Sequence, residues 1–309
     1  MGSVIAAIDC GTNSTRLLIG RRTHNQEFRT LVRETTITQL GEGVDRTQNL
    51  SLAAIDRVLA TLLMYKEQLQ KHQVSQVRMV ATSAVRDAEN SQIFLEAAEE
   101  IIETKVEVLS GVEEARLSFA GATNELEKSK GPFFVVDIGG GSTEFSFGFE
   151  ECDAYLSSDI GCVRLSERFI HNDPPLPEEL SAALSLVDLH LDDVAREIPS
   201  ISQATSIIGV AGTVSATSMI EQGLQTYSYQ DVHGHFMSKD SIEEVFRLLV
   251  TDNRVGRLSN PGMEKGRVDV IIGGICILAQ IMRKFEFENL LVSEKDILDG
   301  LLMSLSANN

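Results

Sequence analysis

Twice in the chain a run of apolar, strand-favouring residues drives into an aspartate and a short glycine-containing turn, beyond which a second strand-like stretch begins. The first runs Val4-Ile-Ala-Ala-Ile-Asp-Cys-Gly-Thr-Asn-Ser-Thr-Arg-Leu-Leu-Ile19. The second runs Phe133-Phe-Val-Val-Asp-Ile-Gly-Gly-Gly-Ser-Thr-Glu-Phe145, with alternation resuming through Phe147 and Phe149. Each predicts strand, tight turn, strand. Elsewhere the spacing changes to that of helices. Ile55, Val58, Leu59, Leu62, Leu63 and Leu69 predict a helix from Leu52 to about Lys71, with Ser51 as its N-cap. Further helices are expected over 91–102, from Ser110 onward, over 178–196, from after Ser238-Lys-Asp-Ser241 to Val250, over 270–285 and over 295–306. Strands are expected over 27–38, 77–82, 106–109 and 290–293.

Strands interleaved with helices predict an α/β fold. The two hairpins align residue by residue: Asp9 with Asp137, Gly11 with Gly139, Ser14 with Ser142, Thr15 with Thr143. A single glycine-rich turn is weak information, but its repetition implies two related domains facing each other across a ligand cleft. The polar stretch 124–131 predicts the boundary, giving a first domain over 1–124, joined by the final helix 298–309, and a second over 125–297.

Composition narrows the function. The chain has 309 residues, enough for two cores, with 43% hydrophobic and 23% charged residues. Its formal charge of −18 excludes a general nucleic-acid binder, which needs a basic footprint. No run approaches the ~18 apolar residues of a membrane helix, and no basic leader opens the sequence, so a cytoplasmic protein without membrane partners is expected. Its four cysteines lack CxxC spacing, so neither zinc nor a disulfide framework is indicated, and Cys10 reads as a packing residue rather than a catalytic thiol.

The turns carry candidate chemistry. Three consecutive glycines let backbone N–H groups approach an anion, Ser142 and Thr143 add donors, and Asp137 at the end of the strand is placed to hold a divalent cation. Arg86 follows a buried strand, where it either reaches a phosphate or pairs with Asp87 or Glu89. Glu113 and Glu114 open a helix, offsetting its dipole or supplying a general base. The segment Gly209-Val-Ala-Gly-Thr213 precedes another helix. Its Gly212 and Thr213 suit an anion or a nucleotide, or else the glycines serve close packing. His233-Gly-His235 lacks accompanying ligands and reads as a loop.

Together, Asp9-Cys-Gly-Thr-Asn-Ser-Thr-Arg16, Ala81-Thr-Ser-Ala-Val-Arg86, Leu109-Ser-Gly-Val-Glu-Glu-Ala-Arg116, Asp137-Ile-Gly-Gly-Gly-Ser-Thr-Glu144, Gly209-Val-Ala-Gly-Thr213 and Arg267-Val-Asp269 resemble the exopolyphosphatase and guanosine pentaphosphate phosphohydrolase family of the actin, sugar kinase and Hsp70 ATPase superfamily. The resemblance implies two duplicated ribonuclease H-like (actin-like ATPase) domains and hydrolysis of the terminal phosphate of inorganic polyphosphate or of guanosine pentaphosphate. It further implies Glu114 as the base, and phosphate contacts from Thr12, Asn13, Ser14, Arg86 and the turn of Gly139, Gly140, Gly141, Ser142 and Thr143. Magnesium, or manganese in its place, is implied near Asp137 and Glu144 with Asp9 close by. Other classes sharing the hairpins are an ATP-dependent small-molecule kinase and a non-catalytic phosphate sensor. Oligomeric state is left open, a homodimer among the options. Three departures stand out: no helical domain follows these two, Gln39 replaces an arginine common in the family, and the acidic balance suits short oligophosphates better than a long basic channel.

Overall fold

The computed structural model describes residues 2–23 and 28–307, with side chains through Leu305. Glu27, expected to open the third strand, and 308–309 of the expected final helix lie outside the described residues. Two compact units form: unit 1 comprises the chain to Leu117 together with the chain from Ile297 onward, and unit 2 comprises Ser118–Asp296. No described helix is long and apolar enough to cross a membrane.

Unit 1 begins with an antiparallel meander of β1 (Val4–Cys10), β2 (Ser14–Arg22) and β3 (Phe28–Ile37). It continues through α1 (Val44–Thr47), α2 (Leu52–Lys71), β4 (Gln76–Ala81), α3 (Ser83–Asp87), α4 (Ser91–Ile102), β5 (Val106–Val108) and the first half of α5 (Gly111–Thr123). The sheet order is β3-β2-β1-β4-β5, with β4 parallel to both β1 and β5. Helix α2 starts where Ser51 Oγ accepts from Ala54 N at 3.1 Å, satisfying one of the helix's first N–H groups. Its stripe of Ile55, Val58, Leu62, Tyr65 and Leu69 joins Phe94, Ala98 and Ile102 of α4 over Ala6, Ile8, Leu17, Ile19 and Met79 of the sheet.

Unit 2 repeats the plan. β6 (Phe133–Ile138), β7 (Thr143–Gly148) and β8 (Cys152–Ser158) form its meander. There follow α6 (Cys162–Phe169), α7 (Pro177–Glu197), β9 (Ser206–Val210), α8 (Gly212–Gln222), α9 (Tyr229–Val232), β10 (Phe236–Ser238), α10 (Lys239–Thr251), α11 (Arg254–Ser259), α12 (Ile271–Phe285) and β11 (Asn289–Val292). The order is β10-β11-β9-β6-β7-β8, in which β8-β7-β6-β9-β11 matches the five strands of unit 1 and β10 is an added edge. Two α/β units of one ribonuclease H-like topology are therefore present, as the duplicated hairpins imply. Helix α12 is buried on nearly every side, and its Gly273-Gly274 pair makes this possible. A Cβ at Gly273 would lie 2.5 Å from Cys162 O, and one at Gly274 2.5 Å from Thr213 Oγ1.

The last helix, α13 (Ile297–Ala307), belongs to unit 1, where Leu298, Leu301, Leu302 and Leu305 cover Ile5, Ala7, Leu18 and Val80. Each buried leucine contributes roughly 1.5–3 kcal/mol. Close approach is permitted by Gly300, where a Cβ would sit 2.1 Å from the Leu117 carbonyl of α5. Because that neighbour is backbone and cannot swing aside, Gly300→Ala is expected to cost about 3 kcal/mol of stability. Urea unfolding measures this, and an unchanged midpoint would contradict it.

One boundary differs from expectation. The division falls inside α5, between Leu117 and Ser118, rather than in the polar stretch 124–131. The second half of α5 already buries Phe119 and Ala122 against Phe133, Val135, Ile208 and Val210 of the unit 2 sheet, whereas Leu117 packs with the core under α13.

Candidate active site

In unit 1 the turn after β1 closes with Gly11 N donating to Ser14 O at 3.0 Å; in unit 2 the aligned pair, Gly139 N and Ser142 O, does the same at 3.0 Å. A Cβ on either glycine would press on that serine carbonyl, at 3.1 and 2.9 Å respectively. The sequence alignment of the two turns is therefore also an alignment of hydrogen bonds.

The unit 1 turn is tied down on its carbonyl side. Thr12 O accepts from Gly41 N, and Asn13 O accepts from both Thr38 N and Gln39 N. Thr12 Oγ1 and Ser83 Oγ of α3 lie 2.8 Å apart. The Asn13 side chain is 6% exposed, yet neither polar atom of its amide has a hydrogen-bond partner among the described residues. Orphaned buried amides are rare, and this one suits a ligand oxygen. Gln39 sits just beyond β3 with φ 52°, its N–H spent on the turn.

Asp9 is 2% exposed, and its Oδ2 accepts from both Nε and Nη2 of Arg16. Cys10 is fully buried; burial, reinforced by the Asp9 charge, pushes its thiol far above the ordinary range, so it packs and does not react.

Helix α5 separates the two adjacent glutamates. Ser110 Oγ accepts from Glu113 N while Glu113 Oε2 accepts from Ser110 N and Oγ, a reciprocal cap that commits Glu113 to the helix start. Glu114 faces inward instead, 9% exposed, with its Oε2 3.5 Å from Arg86 Nη1. The same Nη1 donates to Leu109 O at 2.8 Å, which fixes the guanidinium beside the carboxylate. Arg86 therefore pairs with neither Asp87 nor Glu89.

In unit 2, Asp137 and Glu144 are direct cross-strand partners of β6 and β7, 6% and 1% exposed. Each is oriented by a serine: Ser118 Oγ of α5 donates to Asp137 Oδ2, and Ser157 Oγ of β8 donates to Glu144 Oε1 at 2.8 Å. Ser118 lies one helical turn beyond Glu114, on the same face of α5. Thr143 Oγ1 is spent on Ile160 O, and Thr143 itself lies in β7 between Ile138 and Ser158, so its hydroxyl serves the fold.

At the third glycine site, a Cβ on Gly209 would come within 3.0 Å of the Leu290 and Val214 side chains, which is close strand-helix packing. Gly212 differs, because a Cβ there would overlap the Arg267 guanidinium at 1.8 Å. Arg267 is held by Glu264 at 2.8 Å. Ala211 adopts φ 71°, ψ 177°, a region natural only to glycine and costing on the order of 1–3 kcal/mol. The N–H groups of Gly212 and Thr213 at the head of α8 have no acceptor among the described residues.

His233 and His235 serve the fold: Nδ1 of His233 accepts from Glu294 N, and Nε2 of His235 lies 2.8 Å from Glu221. Among the described residues, no group of three or more histidine, cysteine or carboxylate side chains could hold a metal. Sequence reasoning missed Ser118, Ser157 and Arg164, whose Nε donates to Gly141 O.

Comparisons with known proteins agree with this architecture. A model of the Ppx/GppA phosphatase family matches residues 18–309. Exopolyphosphatase 2 of Mycobacterium tuberculosis is 41% identical over 314 aligned positions, covering 98% of each chain. Among solved structures, an exopolyphosphatase from Cytophaga hutchinsonii is 28% identical with a TM-score of 0.91, over 99% of this chain and 98% of that one. The Aquifex aeolicus member of the Ppx/GppA family is 29% identical with a TM-score of 0.80, over 99% and 98%. With a family match that spans most of the chain and a relative 41% identical over nearly all of it, this protein belongs to the Ppx/GppA phosphatase family.

Proposed function

We propose that this protein is an exopolyphosphatase, releasing the terminal phosphate of inorganic polyphosphate to water. The observation that carries the reading is the division of labour between the paired glutamates. Glu113 is consumed as a helix cap, while Glu114 is buried beside Arg86, oriented to accept a proton. Glu114 takes a proton from water as its oxygen attacks the terminal phosphorus; the anhydride P–O bond breaks, and the shortened chain leaves as an anion. Thr12, Asn13, Ser14 and Arg86 of unit 1 contact phosphate oxygens. Unit 2, taken by itself, offers phosphate donors in the backbone N–H groups of Gly140, Gly141 and Ser142, and in those of Gly212 and Thr213.

Asp137 and Glu144 fit a divalent cation, magnesium or manganese. They are two buried carboxylates side by side, each pre-oriented by a serine, and an ion that keeps its waters and takes substrate oxygens needs only one or two protein carboxylates. Such an ion would neutralise charge on the phosphoryl oxygens. Asp9 fits that set less well, since the Arg16 fork already answers its charge.

The exopolyphosphatase relatives support water as acceptor over kinase-like transfer. Guanosine pentaphosphate is the second substrate to weigh, because the charge of −18 favours short oligophosphates over capture of a long polyanion. A panel of tripolyphosphate, long-chain polyphosphate and guanosine pentaphosphate decides between them. We expect phosphate release from polyphosphate, with kcat/KM at least about tenfold higher on short than on long chains. Release from none of the three would remove the proposal.

A further inference from the structure

The three glycines of the unit 2 turn have their carbonyls pulled to one side. Gly139 O accepts from Cys162 N at 2.9 Å, and Gly140 O from Val163 N and Arg164 N, all at the start of α6. Gly141 O accepts from Arg164 Nε at 2.9 Å. In a trans peptide the C=O of one residue and the N–H of the next point in opposite directions. Anchoring these three carbonyls on α6 therefore turns the N–H groups of Gly140, Gly141 and Ser142 away from it, and none of the three has an acceptor among the described residues. The fit admits no side chain at Gly161, where a Cβ would lie 2.3 Å from Gly140 O.

The duplicated turn shows which of these anchors is vulnerable. In unit 1 the equivalent of the Gly141 carbonyl is that of Asn13, held by two backbone donors, Thr38 N and Gln39 N. No substitution short of proline removes a backbone N–H. In unit 2 the same place is filled by a side chain.

We infer that Arg164 is a positioning residue for phosphate binding: its Nε–H holds the Gly141 carbonyl and so aims the Ser142 N–H at a phosphate oxygen. This rests on the polyphosphate reading for its ligand, but acts through the turn and not by contact of the guanidinium charge with substrate. Glutamine separates the two roles, because its Nε2 stands the same number of bonds from the backbone as arginine Nε and donates without charge. Methionine fills similar space and donates nothing.

The experiment is calorimetric titration of wild type, Arg164→Gln and Arg164→Met with tripolyphosphate, alongside KM and kcat on polyphosphate and a thermal melt of each protein. Arg164→Gln is expected to bind within about twofold of wild type, and Arg164→Met about tenfold more weakly, with the loss in KM and kcat within about threefold. Methionine binding like wild type would overturn the inference, and so would glutamine falling as far as methionine, which would show that the charge itself is used. Should Arg164→Met fail to fold, the glutamine arm alone decides on the same twofold criterion. Wild type that binds tripolyphosphate but hydrolyses no polyphosphate would count against the proposed function and leave the comparison of turns intact.

Discussion

Glutamine in place of Glu114 is expected to lower kcat on polyphosphate by about a thousandfold, the scale of a lost general base, while KM stays within about threefold. The amide keeps the shape of the carboxylate and can still meet Arg86, but it cannot take a proton. Glu113→Gln is the matched control. Glu113 spends its Oε2 on the Ser110 N–H and hydroxyl, so its loss should cost a few tenths to about 1 kcal/mol of stability through the helix start, and little turnover. Single-turnover release of phosphate from tripolyphosphate compares the chemistry of the two variants, and urea unfolding of Glu113→Gln gives the stability change. If Glu113→Gln were the dead enzyme and Glu114→Gln the active one, the assignment made from their surroundings would be reversed.

Removing one carboxylate of the cross-strand pair is the second large change. Asp137→Asn and Glu144→Gln are each expected to lower kcat/KM by a hundred- to a thousandfold, several kcal/mol of lost charge neutralisation. The loss should carry a signature that a folding defect would not produce: the divalent ion concentration for half-maximal activity rises by at least about tenfold, and activity partly returns at high ion concentration. Titrating magnesium and manganese separately against both variants reads this out. An unchanged metal requirement would detach the pair from the ion and leave Asp137 and Glu144 as buried acids of the unit 2 sheet. The double variant should be little worse than either single one, because two ligands of one ion fail together.

What could be read from the chain was what is encoded locally. A glycine turn between two strand-like runs is a short-range signal, so both hairpins could be read from the sequence, and α2 likewise announced itself through Ser51 and its apolar stripe. Helix α6 gave no such notice. It has Gly161 at its N-cap with no side-chain cap, because its first N–H groups are satisfied by Gly139 and Gly140, some twenty residues earlier in the chain. The same reason hid Ser157 and Arg164, which act only once β8 and α6 have folded back along the turn. Two signals were present and unused. Ser110-Gly-Val-Glu113 is a capping box that would have told the two glutamates apart, and Ser118 stands four residues beyond Glu114. Phe149 is the reverse case, a position in the alternating pattern that lies past the end of β7 and is exposed.

The return of α13 to β1 has a temporal consequence. On the ribosome, everything unit 2 needs has been made once Asp296 is added, whereas the sheet of unit 1, begun at Val4, still lacks the helix that covers Ile5, Ala7, Leu18 and Val80. At about 5–20 residues per second, roughly ten to forty seconds separate the last residues of α5 from the first of α13. Throughout that interval the earlier half of the protein carries an open apolar face. Closure of the first unit is thus deferred to a helix synthesised long after the strands it covers.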